Sequence, residues 1–353
     1  MTNFLEIDGS VGEGGGQTIR IATSFSIIFN QPIHVINVRG GRAVPGLRPQ
    51  HAATLNLLKD ICGGTLDGGT VGSTEFAFTP GSLKSVSPTP LDLGTAGSMT
   101  LVLQALVPAV ALSRASLDLE LIGGTDVPWS PTCDYITEVL GHCLQRMGIT
   151  FNLEVFRRGY YPKGGGQVKV SIEPCEEVLP LQLTSRRRER TPPISIISRA
   201  GSLPRHVAER QASAASSMLA RNGLRTRATT IQSEESYSPG SSILISCVDD
   251  SFYGGSDALG ARGKPAERVG AEAATTFVKT YASPACVDAN LADMVAPLLC
   301  MAGGPSNLVT SHATGHLRTS LHVATRFAKA DYHVEALDDG GALVSISPQQ
   351  QNS

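Results

Sequence analysis

HAATLNLLKDICGGTLDG, residues 51–68, predicts a helix followed directly by a strand. Its apolar residues first recur three and four positions apart, the spacing of one helix face, and then at every second position after the pair Gly63-Gly64. The same order of amphipathic helix, small-residue stop and strand recurs at residues 135–156 and 316–347. A helix–strand unit used repeatedly predicts an α/β (α+β) fold in which sheets carry helices on one face.

Two further features concern the organisation of the chain. The tetrapeptide GGGQ occurs at residues 14–17 and again at 164–167, which favours internal duplication. The segment 184–284 breaks the rhythm, because it carries its own strand and helix patterns in the order β-α-β-β-α. We therefore predict a discontinuous main domain, residues 1–183 and 285–353, that is interrupted by an inserted domain at residues 184–284.

Composition and charge limit the classes of function. Hydrophobic residues make up 41% of the 353 residues, enough for a large core, and no apolar stretch approaches the length of a membrane span. The N-terminus lacks the basic start and apolar run of a signal peptide, so we expect none. The net charge of −2 excludes a global basic field, and any contact with nucleic acid must be local. The densest basic run, SRRRER at residues 185–190, is interpreted as a solvated linker.

The cysteines bear on the compartment in which the protein works. The chain has seven of them, scattered and without a C-x-x-C spacing. This pattern predicts buried free thiols in a reducing compartment, and not a disulfide framework or a zinc site. We therefore expect a cytoplasmic protein that does not associate with a membrane.

DGSVGEGGGQTIR, residues 8–20, combines an acid with bare backbone. Gly14, Gly15 and Gly16 can adopt positive φ angles and allow a phosphate-bearing ligand to come close to the main chain. The preceding Glu13 favours a divalent cation beside those phosphates, since hard cations prefer oxygen ligands. The alternative is a glycine-rich turn between two strands.

A stiff basic loop follows in VRGGRAVPGLRPQH, residues 38–51. Three arginines, at positions 39, 42 and 48, lie within ten residues among glycines and prolines. Guanidinium groups bind phosphate through two parallel hydrogen bonds, so this loop favours a phosphate site. Gln50 and His51 follow at the predicted start of a helix.

Two later stretches carry small residues and prolines. In DLGTAGSMTLVLQALVPAV, residues 92–110, small residues open a long apolar helix whose free amides favour anions, although tight helix packing explains the same residues. IGGTDVPWSPTCDYI, residues 122–136, predicts a rigid loop that contains Asp126, Pro131 and Asp134.

Histidines crowd in TSHATGHLRTSLHVATRF, residues 310–327. His312 and His316 are four residues apart and could bind a metal from one helix, but Gly315 between them indicates that the helix begins only after it. His316 would then lie at the helix N-terminus, where the dipole disfavours imidazolium, keeps the ring neutral and nucleophilic, and allows a phosphate beside it. His312 and His322 are interpreted as structural.

Taken in order, these motifs resemble those of the RNA 3′-terminal phosphate cyclase family. The matching strings extend from DGSVGEGGGQTIR to GHLRTS and include RGGRAVPGLRPQH, LGTAGSMTLVLQALVPA, GGTDVPWSPTCDYI, GYYPKGGGQV, PRHVAER and LADMVAPLL. They span residues 7 to about 327, nearly the whole chain. The resemblance implies a main domain of repeated α/β units similar to the C-terminal domain of translation initiation factor three, with a small thioredoxin-like domain inserted in it.

The resemblance also implies a reaction. A histidine attacks the α-phosphate of ATP, releases pyrophosphate and becomes a histidine–AMP adduct. AMP then passes to the 3′-phosphate of an RNA, and the neighbouring 2′-hydroxyl closes a 2′,3′-cyclic phosphate and expels AMP. Because that hydroxyl is already in place, the last step gains from proximity.

Site residues follow from the resemblance by position. His316 would be the nucleophile, Glu13 would hold a divalent cation (Mg²⁺ or Mn²⁺), and Asp293 would orient or assist the histidine. Arg42 would join them as a catalytic residue. The residues that would bind ATP or phosphate are Gly14, Gly15, Gly16, Gln17, Arg20, Arg39, Gln50, His51, Gln104, Pro131 and Asn290. The resemblance specifies neither the natural RNA, nor the preferred metal, nor the oligomeric state.

Two positions depart from the family pattern, and two other functions compete. Asn290 stands where bacterial members often carry Tyr, and Ser320 stands where Asn is more usual. One competing function is that of the nucleolar cyclase-like assembly factors, which share the fold but lack the histidine. The other is that of an enolpyruvyl transferase, which has a related repeat fold and needs no histidine–nucleotide adduct. The presence of His316, Glu13 and the arginines favours a working cyclase.

Overall fold

The computed structural model describes residues 3–83, 90–94, 96–186, 192–338 and 340–349. Thr95 of the glycine-rich stretch and residues 187–190 of the basic run lie outside the described residues. The first half of the chain forms two units of the same order of elements. The first unit consists of β1 (Leu5–Asp8), α1 (Gly16–Ile28), β2 (Ile33–Ile36), α2 (Pro49–Cys62), β3 (Thr65–Asp67) and β4 (Phe76–Thr79).

The second unit repeats this order with one irregular helix. It consists of β5 (Leu91–Asp92), α3 (Met99–Ala111), β6 (Leu117–Gly123), then α4 (Cys133–Tyr135), a π-helical stretch (Ile136–Gly141) and α5 (His142–Arg146), and finally β7 (Phe151–Arg157) and β8 (Gly166–Ile172). Helices α4 and α5 and the π-helical stretch between them occupy the place of a single second helix.

The third unit is interrupted after its first strand. It begins with β9 (Gln182–Leu183). The interruption contains β10 (Ile194–Gly201), α6 (His206–Arg221), β11 (Thr226–Glu234), β12 (Gly240–Val248), β13 (Tyr253–Leu259) and α7 (Ala266–Ala282). The unit then continues with α8 (Ala289–Leu299), β14 (Ser306–Thr310), α9 (Gly315–Ala324), β15 (Ala330–Ala336) and β16 (Ala342–Pro348).

Strand pairing shows that the three units are copies of one β-α-β-α-β-β design. Their sheets have the orders β1-β2-β4-β3, β5-β6-β8-β7 and β9-β14-β16-β15. In each sheet the first two strands are parallel and the remaining pairs are antiparallel. The predicted repeated α/β fold is thereby confirmed. The three helix–strand stretches of the sequence are the second helix and third strand of each unit.

The two GGGQ copies do not occupy equivalent places. The first copy leads into α1, whereas the second leads into β8, the last strand of its unit. The interpretation of these tetrapeptides as traces of duplication is therefore wrong, although the duplication itself is present.

The inserted elements form a fourth sheet of order β11-β10-β12-β13, with one parallel pair and two antiparallel pairs. A separate hydrophobic cluster lies under α6 and α7 and includes Ile196, Leu219 and Phe277. The sequence pattern missed β13, because Gly254-Gly255 resembles a turn. In the structure both glycines lie in the strand, where an added Cβ would be 2.7 Å from the Phe252 ring and 2.9 Å from Val139. The domain boundaries at 184 and 284 stay a prediction.

Helix α1 is the centre of the main core. It packs against α2, α3 and α9, and nearly all of its residues are buried. Three of its buried hydroxyls are paired: Thr23 with the carbonyl of Ile19 at 2.9 Å, Ser26 with that of Gln31 at 2.6 Å, and Ser24 with that of Ala105. This packing fixes the N-terminus of α1 beside the N-termini of α2 and α9.

All seven cysteines are buried and free, as the scattered spacing predicted. Within the described ranges, no helix is long and apolar enough to cross a membrane.

Candidate active site

The glycine triplet packs against the basic loop and the start of α2. Gly14 has a φ of +57°, a left-handed conformation that favours glycine. An added Cβ would lie 2.6 Å from the backbone nitrogen of Gly41 at position 14 and 2.7 Å from the guanidinium of Arg42 at position 15. At position 16 it would collide with the imidazole of His51. The protein's own packing therefore requires Gly14 and Gly16, and the triplet leaves the start of α1 without side chains.

One carboxylate joins two predicted site residues. The Oε1 of Glu13 forms an ion pair with Arg42, and its Oε2 lies 2.5 Å from Nδ1 of His316. The backbone nitrogen of Glu13 donates to Oγ1 of Thr319 on α9 at 3.0 Å, which ties the glycine loop to the helix that carries the histidine. Because a carboxylate can only accept, this close contact favours the neutral tautomer of His316 that carries its proton on Nδ1 and keeps the lone pair on Nε2. The His316 side chain is 42% exposed although its Nδ1 is buried, so the exposed part of the side chain lies away from the contact with Glu13.

The charge state of His316 follows from its surroundings. Burial lowers its pKa below the ordinary value, Glu13 opposes this shift, and Arg20 and Arg42 reinforce it. The ring is therefore neutral at pH 7, as predicted, although the main causes are burial and arginine charge. Helix α9 begins at Gly315 itself, one residue earlier than the sequence indicated.

Asp293 acts on this helix and does not contact the ring of His316. The buried carboxylate accepts a hydrogen bond from Oγ1 of Thr314 at 2.5 Å. Thr314 is the N-cap of α9, and its hydroxyl accepts from the backbone nitrogen of Leu317 at 2.8 Å. Asp293 thereby fixes the first turn of α9, which carries His316. Burial raises the pKa of Asp293 to about 7, against the lowering effect of the Thr314 hydrogen bond, and the charges of Asp288 and Glu13 add to the increase.

This raised pKa predicts a pH dependence of stability. In the folded protein the carboxyl of Asp293 binds its proton up to about pH 7, whereas an unfolded carboxyl loses it near 3.8. The contribution of this carboxyl to the free energy of unfolding is therefore complete below about pH 4 and is lost as the pH rises to about 7. We expect Asp293→Asn, which keeps an acceptor for Thr314, to remove this loss. Its free energy of unfolding, measured in urea from pH 4 to 8, should fall less with rising pH than that of the wild type. Parallel curves would refute the assignment.

A second chain of hydrogen bonds supports the backbone of the histidine. Ser320 donates to the carbonyl of His316 at 2.8 Å and accepts from Nε2 of Gln17 at 3.0 Å. The Oε1 of Gln17 in turn accepts from Arg20 at 2.5 Å. Ser320 therefore provides structural support where the family more usually has Asn. Burial lowers the pKa of Arg20 to about 10, so it remains a cation at neutral pH.

His51 is a buried neutral donor. Its Nδ1 accepts from the backbone nitrogen of Arg48 at 3.2 Å, which assigns the ring proton to Nε2 beside Gly16. Burial lowers its pKa to about 3, and Arg20, Arg39 and Arg48 add to the shift.

Arg39 partly stabilises its own loop. It has a left-handed φ of +55°, and its Nη1 donates to the carbonyls of Val44 at 2.9 Å and Gly46 at 3.0 Å. Gln50 lies half-buried in the first turn of α2, where its carbonyl accepts from Thr54.

A largely apolar pocket adjoins these polar groups. Its cavity volume is about 20 Å³, room for about one water molecule, and Gln17, Arg20 and Gln104 supply its polar wall. Its apolar wall comes from α1, α3, α5, α8 and the π-helical stretch, with Met294 and Leu140 among the contacts.

Pro131 and Asn290 lie outside the walls of this pocket. The carbonyl of Pro131 accepts from Oγ1 of Thr100 at 2.8 Å, in the first turn of α3. Asn290 is exposed in the first turn of α8. At the start of α3, Ser98 caps the helix, accepting from the backbone nitrogen of Leu101 at 3.2 Å.

The structure adds residues that the sequence motifs did not single out. Thr314 and Thr319 bind Asp293 and Glu13, respectively. A Thr directly before a helix is a recognised capping signal, so Thr314 could have been found. The metal pair considered for the histidines gains no support, because His312 and His322 are exposed. Among the described residues, no group of three His, Cys, Asp or Glu side chains could hold a metal ion.

Fold and site together define a class: an α/β repeat protein in which a neutral histidine, paired with a carboxylate, lies among arginines at converging helix starts. The sequence profile of the RNA 3′-terminal phosphate cyclase family matches residues 11–334. The chain belongs to this family.

Relatives named RNA 3′-terminal phosphate cyclase cover nearly the whole chain. The protein from Thermococcus kodakarensis is 43% identical over 334 residues, which are 94% of this chain and 95% of that protein. The one from Pyrococcus abyssi is 41% identical over 92% of this chain and 93% of its own length. The one from Methanopyrus kandleri is 38% identical over 98% of this chain and 99% of its own length. These matches lend no support to the assembly-factor or enolpyruvyl-transferase alternatives.

Proposed function

We propose that this chain converts the 3′-terminal phosphate of an RNA to a 2′,3′-cyclic phosphate, consuming ATP through a covalent histidine–AMP intermediate. The observation that supports this most directly is the contact of Nδ1 of His316 with Glu13, which leaves Nε2 as a free nucleophilic nitrogen. Family membership supports the use of ATP and RNA.

The reaction has three balanced steps. The lone pair on Nε2 of His316 attacks the α-phosphorus of ATP, and the bond to the β-phosphate breaks and releases pyrophosphate. An oxygen of the RNA 3′-phosphate then attacks the same phosphorus, and the N–P bond breaks. Finally the 2′-hydroxyl attacks the 3′-phosphorus, loses its proton and displaces AMP. Adenylation supplies the leaving group that a terminal phosphate lacks.

The surrounding residues would bind the phosphates. The Nε of Arg20 is buried and, within the ranges that the structure describes, has no hydrogen-bond partner, so it is available to a phosphate oxygen. We assign the same role to the Nε2–H of His51 and to the amides of Gly15 and Gly16 at the start of α1. With Gln50, the guanidinium nitrogens of Arg39 that its loop leaves free would do the same. Arg42 would leave Glu13 partly or wholly to neutralise the departing pyrophosphate.

The nucleoside would lie against the mouth of the neighbouring apolar pocket, because the cavity itself, about 20 Å³, is too small to enclose it. Gln104 offers an amide to the adenine, while Asn290 and Pro131 would lie at its margin. With Asn290 in place of an aromatic residue, the base gains no stacking there, so we expect weaker discrimination among nucleotides. Asp293 is a positioning residue that acts through Thr314.

A divalent cation fits this site only together with the nucleotide. Glu13 is the single carboxylate in contact with His316 and Arg42, so the protein offers one oxygen ligand group there. Mg²⁺ is commonly bound by one or two carboxylates plus substrate phosphates and water, and Mn²⁺ accepts the same oxygen ligands. When bound, the cation would neutralise phosphate charge and orient the triphosphate. Glu13 would hold it.

Labelled ATP tests the proposal directly. Protein incubated with ATP labelled at the α-phosphate should acquire a label that is stable to base and lost in acid, as expected of a phosphoramidate on histidine. Neither alternative function forms such an adduct. A chain that never acquires label, under metal and pH conditions spanning pH 5 to 9, would contradict the proposal.

A pair of RNAs tests the acceptor. AMP should pass to an oligonucleotide that ends in a 3′-phosphate and not to the same oligonucleotide ending in a 3′-hydroxyl. The phosphorylated RNA should also bind more tightly, and removing a phosphate contact, as in Arg39→Met, should flatten the salt dependence of RNA binding by about 0.7 per contact for a single strand. Equal binding without AMP transfer would favour the assembly-factor function. The seven free cysteines support the further proposal of a cytoplasmic site of action.

A further inference from the structure

Three loops lie side by side, two from the second unit and one from the inserted sheet. Asp126 pairs with Tyr160 in a parallel bridge, and Arg158 pairs in the same way with Ser236. The backbone nitrogen of Tyr237 also donates to the carbonyl of Arg158 at 3.2 Å. These pairings bring together the loops at residues 127–130, 161–165 and 235–239.

Each loop presents one aromatic ring to solvent. Trp129 is 94% exposed, Tyr161 is 61% exposed and Tyr237 is 58% exposed. Trp129 is the single tryptophan of the chain. A large apolar ring held in water gains nothing from folding, so its exposure calls for a ligand.

The backbone that carries Trp129 is rigid and unusual. Trp129 has a left-handed φ of +63°, which is rare for a bulky residue. Both ends of its loop are anchored: Asp126 accepts from the buried Arg158 at 2.9 Å, and the nitrogen of Thr132 donates to the half-buried Asp257 at 2.7 Å. Such strain persists only where the surrounding structure fixes it, and it is concentrated at functional sites.

The ring of Tyr237 packs against the second GGGQ tetrapeptide. An added Cβ at Gly165 would lie 2.6 Å from that ring, so only glycine allows the ring to lie on this loop. Arg157 donates to the carbonyl of Gly165 at 3.1 Å, and its guanidinium lies 5.6 Å from the centre of the Tyr237 ring. Arg157 and the exposed Lys163 therefore place two positive charges beside the rings. Glu235 is an exposed acidic residue of the same loops.

The three loops lie close to the candidate active site. Pro131, two residues after Trp129, is bound to Thr100 in the first turn of α3. Gln104, four residues further along α3, lines the pocket with Gln17 and Arg20. Four residues of α-helix rise about 6 Å, so the loops stand near the rim of that pocket.

We propose that Trp129, Tyr161 and Tyr237, with Arg157 and Lys163, form an aromatic platform that binds unpaired nucleotides preceding the RNA 3′-phosphate. Rings with isolated cations are the arrangement that stacks on bases and tracks a single-stranded backbone. A duplex keeps its base faces stacked and offers none to these rings. The inference rests on the proposed function, since it names how that RNA is held.

The single tryptophan provides the test. Its fluorescence should be quenched by a 3′-phosphorylated single-stranded oligonucleotide. An oligonucleotide with abasic spacers before the same terminal nucleotide, or one paired to its end in a blunt duplex, should quench it much less. Trp129→Ala should weaken binding of the single-stranded RNA about tenfold or more. Trp129→Phe should retain most of the affinity, and Tyr332→Ala, which removes an exposed ring outside the three loops, should retain all of it.

The controls separate this inference from the proposed function. Formation of the AMP adduct from ATP alone should be unchanged in Trp129→Ala, because no RNA takes part. Trp129→Gly, which also relieves the left-handed backbone, should melt no lower than the wild type and bind as weakly as the alanine variant. Unchanged fluorescence on saturation with single-stranded RNA, or wild-type affinity in Trp129→Ala, would overturn the platform whether or not the adduct forms. Absence of the adduct from the wild type would overturn the proposed function.

Discussion

His316→Asn should abolish transfer of AMP to the protein, lowering adduct formation at least about a thousandfold, because no other group supplies the nucleophilic nitrogen. In the wild type, Nδ1 lies against Glu13, and the His316 side chain as a whole is 42% exposed. Asparagine offers an amide near the same carboxylate but no nucleophile. Since His316 is partly exposed and its helix is capped by Thr314, the variant should keep the fold. Adduct formation with α-labelled ATP, alongside circular dichroism, provides the measurement.

The same helix offers matched controls. His322 is exposed in α9 and His312 is exposed just before it, so His322→Asn and His312→Asn should leave adduct formation unchanged. If His316→Asn still acquires a label that is lost in acid, another residue is the nucleophile. If a control variant loses the label, the assignment would move to that histidine.

The repeated fold could be predicted because one part of each unit has a strong pattern. The second helix and third strand of every unit show the change from helical to alternating periodicity, as in residues 51–68. The first strands of the second and third units have only two residues each, too few for any period. Strand β13 was missed because Gly254 and Gly255, which let it pack closely, also resemble a turn.

The members of the candidate site were proposed partly from local patterns and partly from the family resemblance, and neither source could predict their contacts. Most of them lie at or near helix starts, where glycine, arginine and histidine leave local signals. Their partners are remote: Glu13 binds Thr319, 306 residues away, and Gln17 binds Ser320, 303 residues away. Spacing carries no information about such pairs. For that reason the family resemblance implied that Asp293 assists the histidine without revealing that it binds the cap of α9.

The rigid loop at residues 122–136 shows the same limit. Its acids were recognised, whereas their buried partners were not. Asp134 accepts from Arg158 at 2.7 Å and from Arg199 of the inserted sheet, also at 2.7 Å. A buried carboxylate needs such partners, and here one of them belongs to the insertion. The insertion therefore holds the loop that carries Trp129 and Pro131, which no local pattern in the chain could indicate.

Glu13→Gln should lower the rate of adenylation about a hundredfold or more, because it disturbs the proton on which the nucleophile depends. The amide of Gln can donate to Nδ1 of His316, which would transfer the ring proton to Nε2 and remove the reactive lone pair. The loss should appear in single-turnover labelling with α-labelled ATP. Thermal stability should change far less, since Glu13 is partly exposed.

The pH profile distinguishes this role from a merely structural one. Glu13 raises the pKa of His316, so its replacement by Gln should move the acid limb of the residual rate to lower pH. Arg42 lowers that pKa, and Arg42→Met should move the acid limb to higher pH. If Glu13 also holds the cation, Glu13→Gln should require more Mg²⁺ or Mn²⁺ for half of its maximal rate. An unchanged metal requirement would remove Glu13 from cation binding, and shifts of the same sign in both variants would contradict the charge assignments around His316.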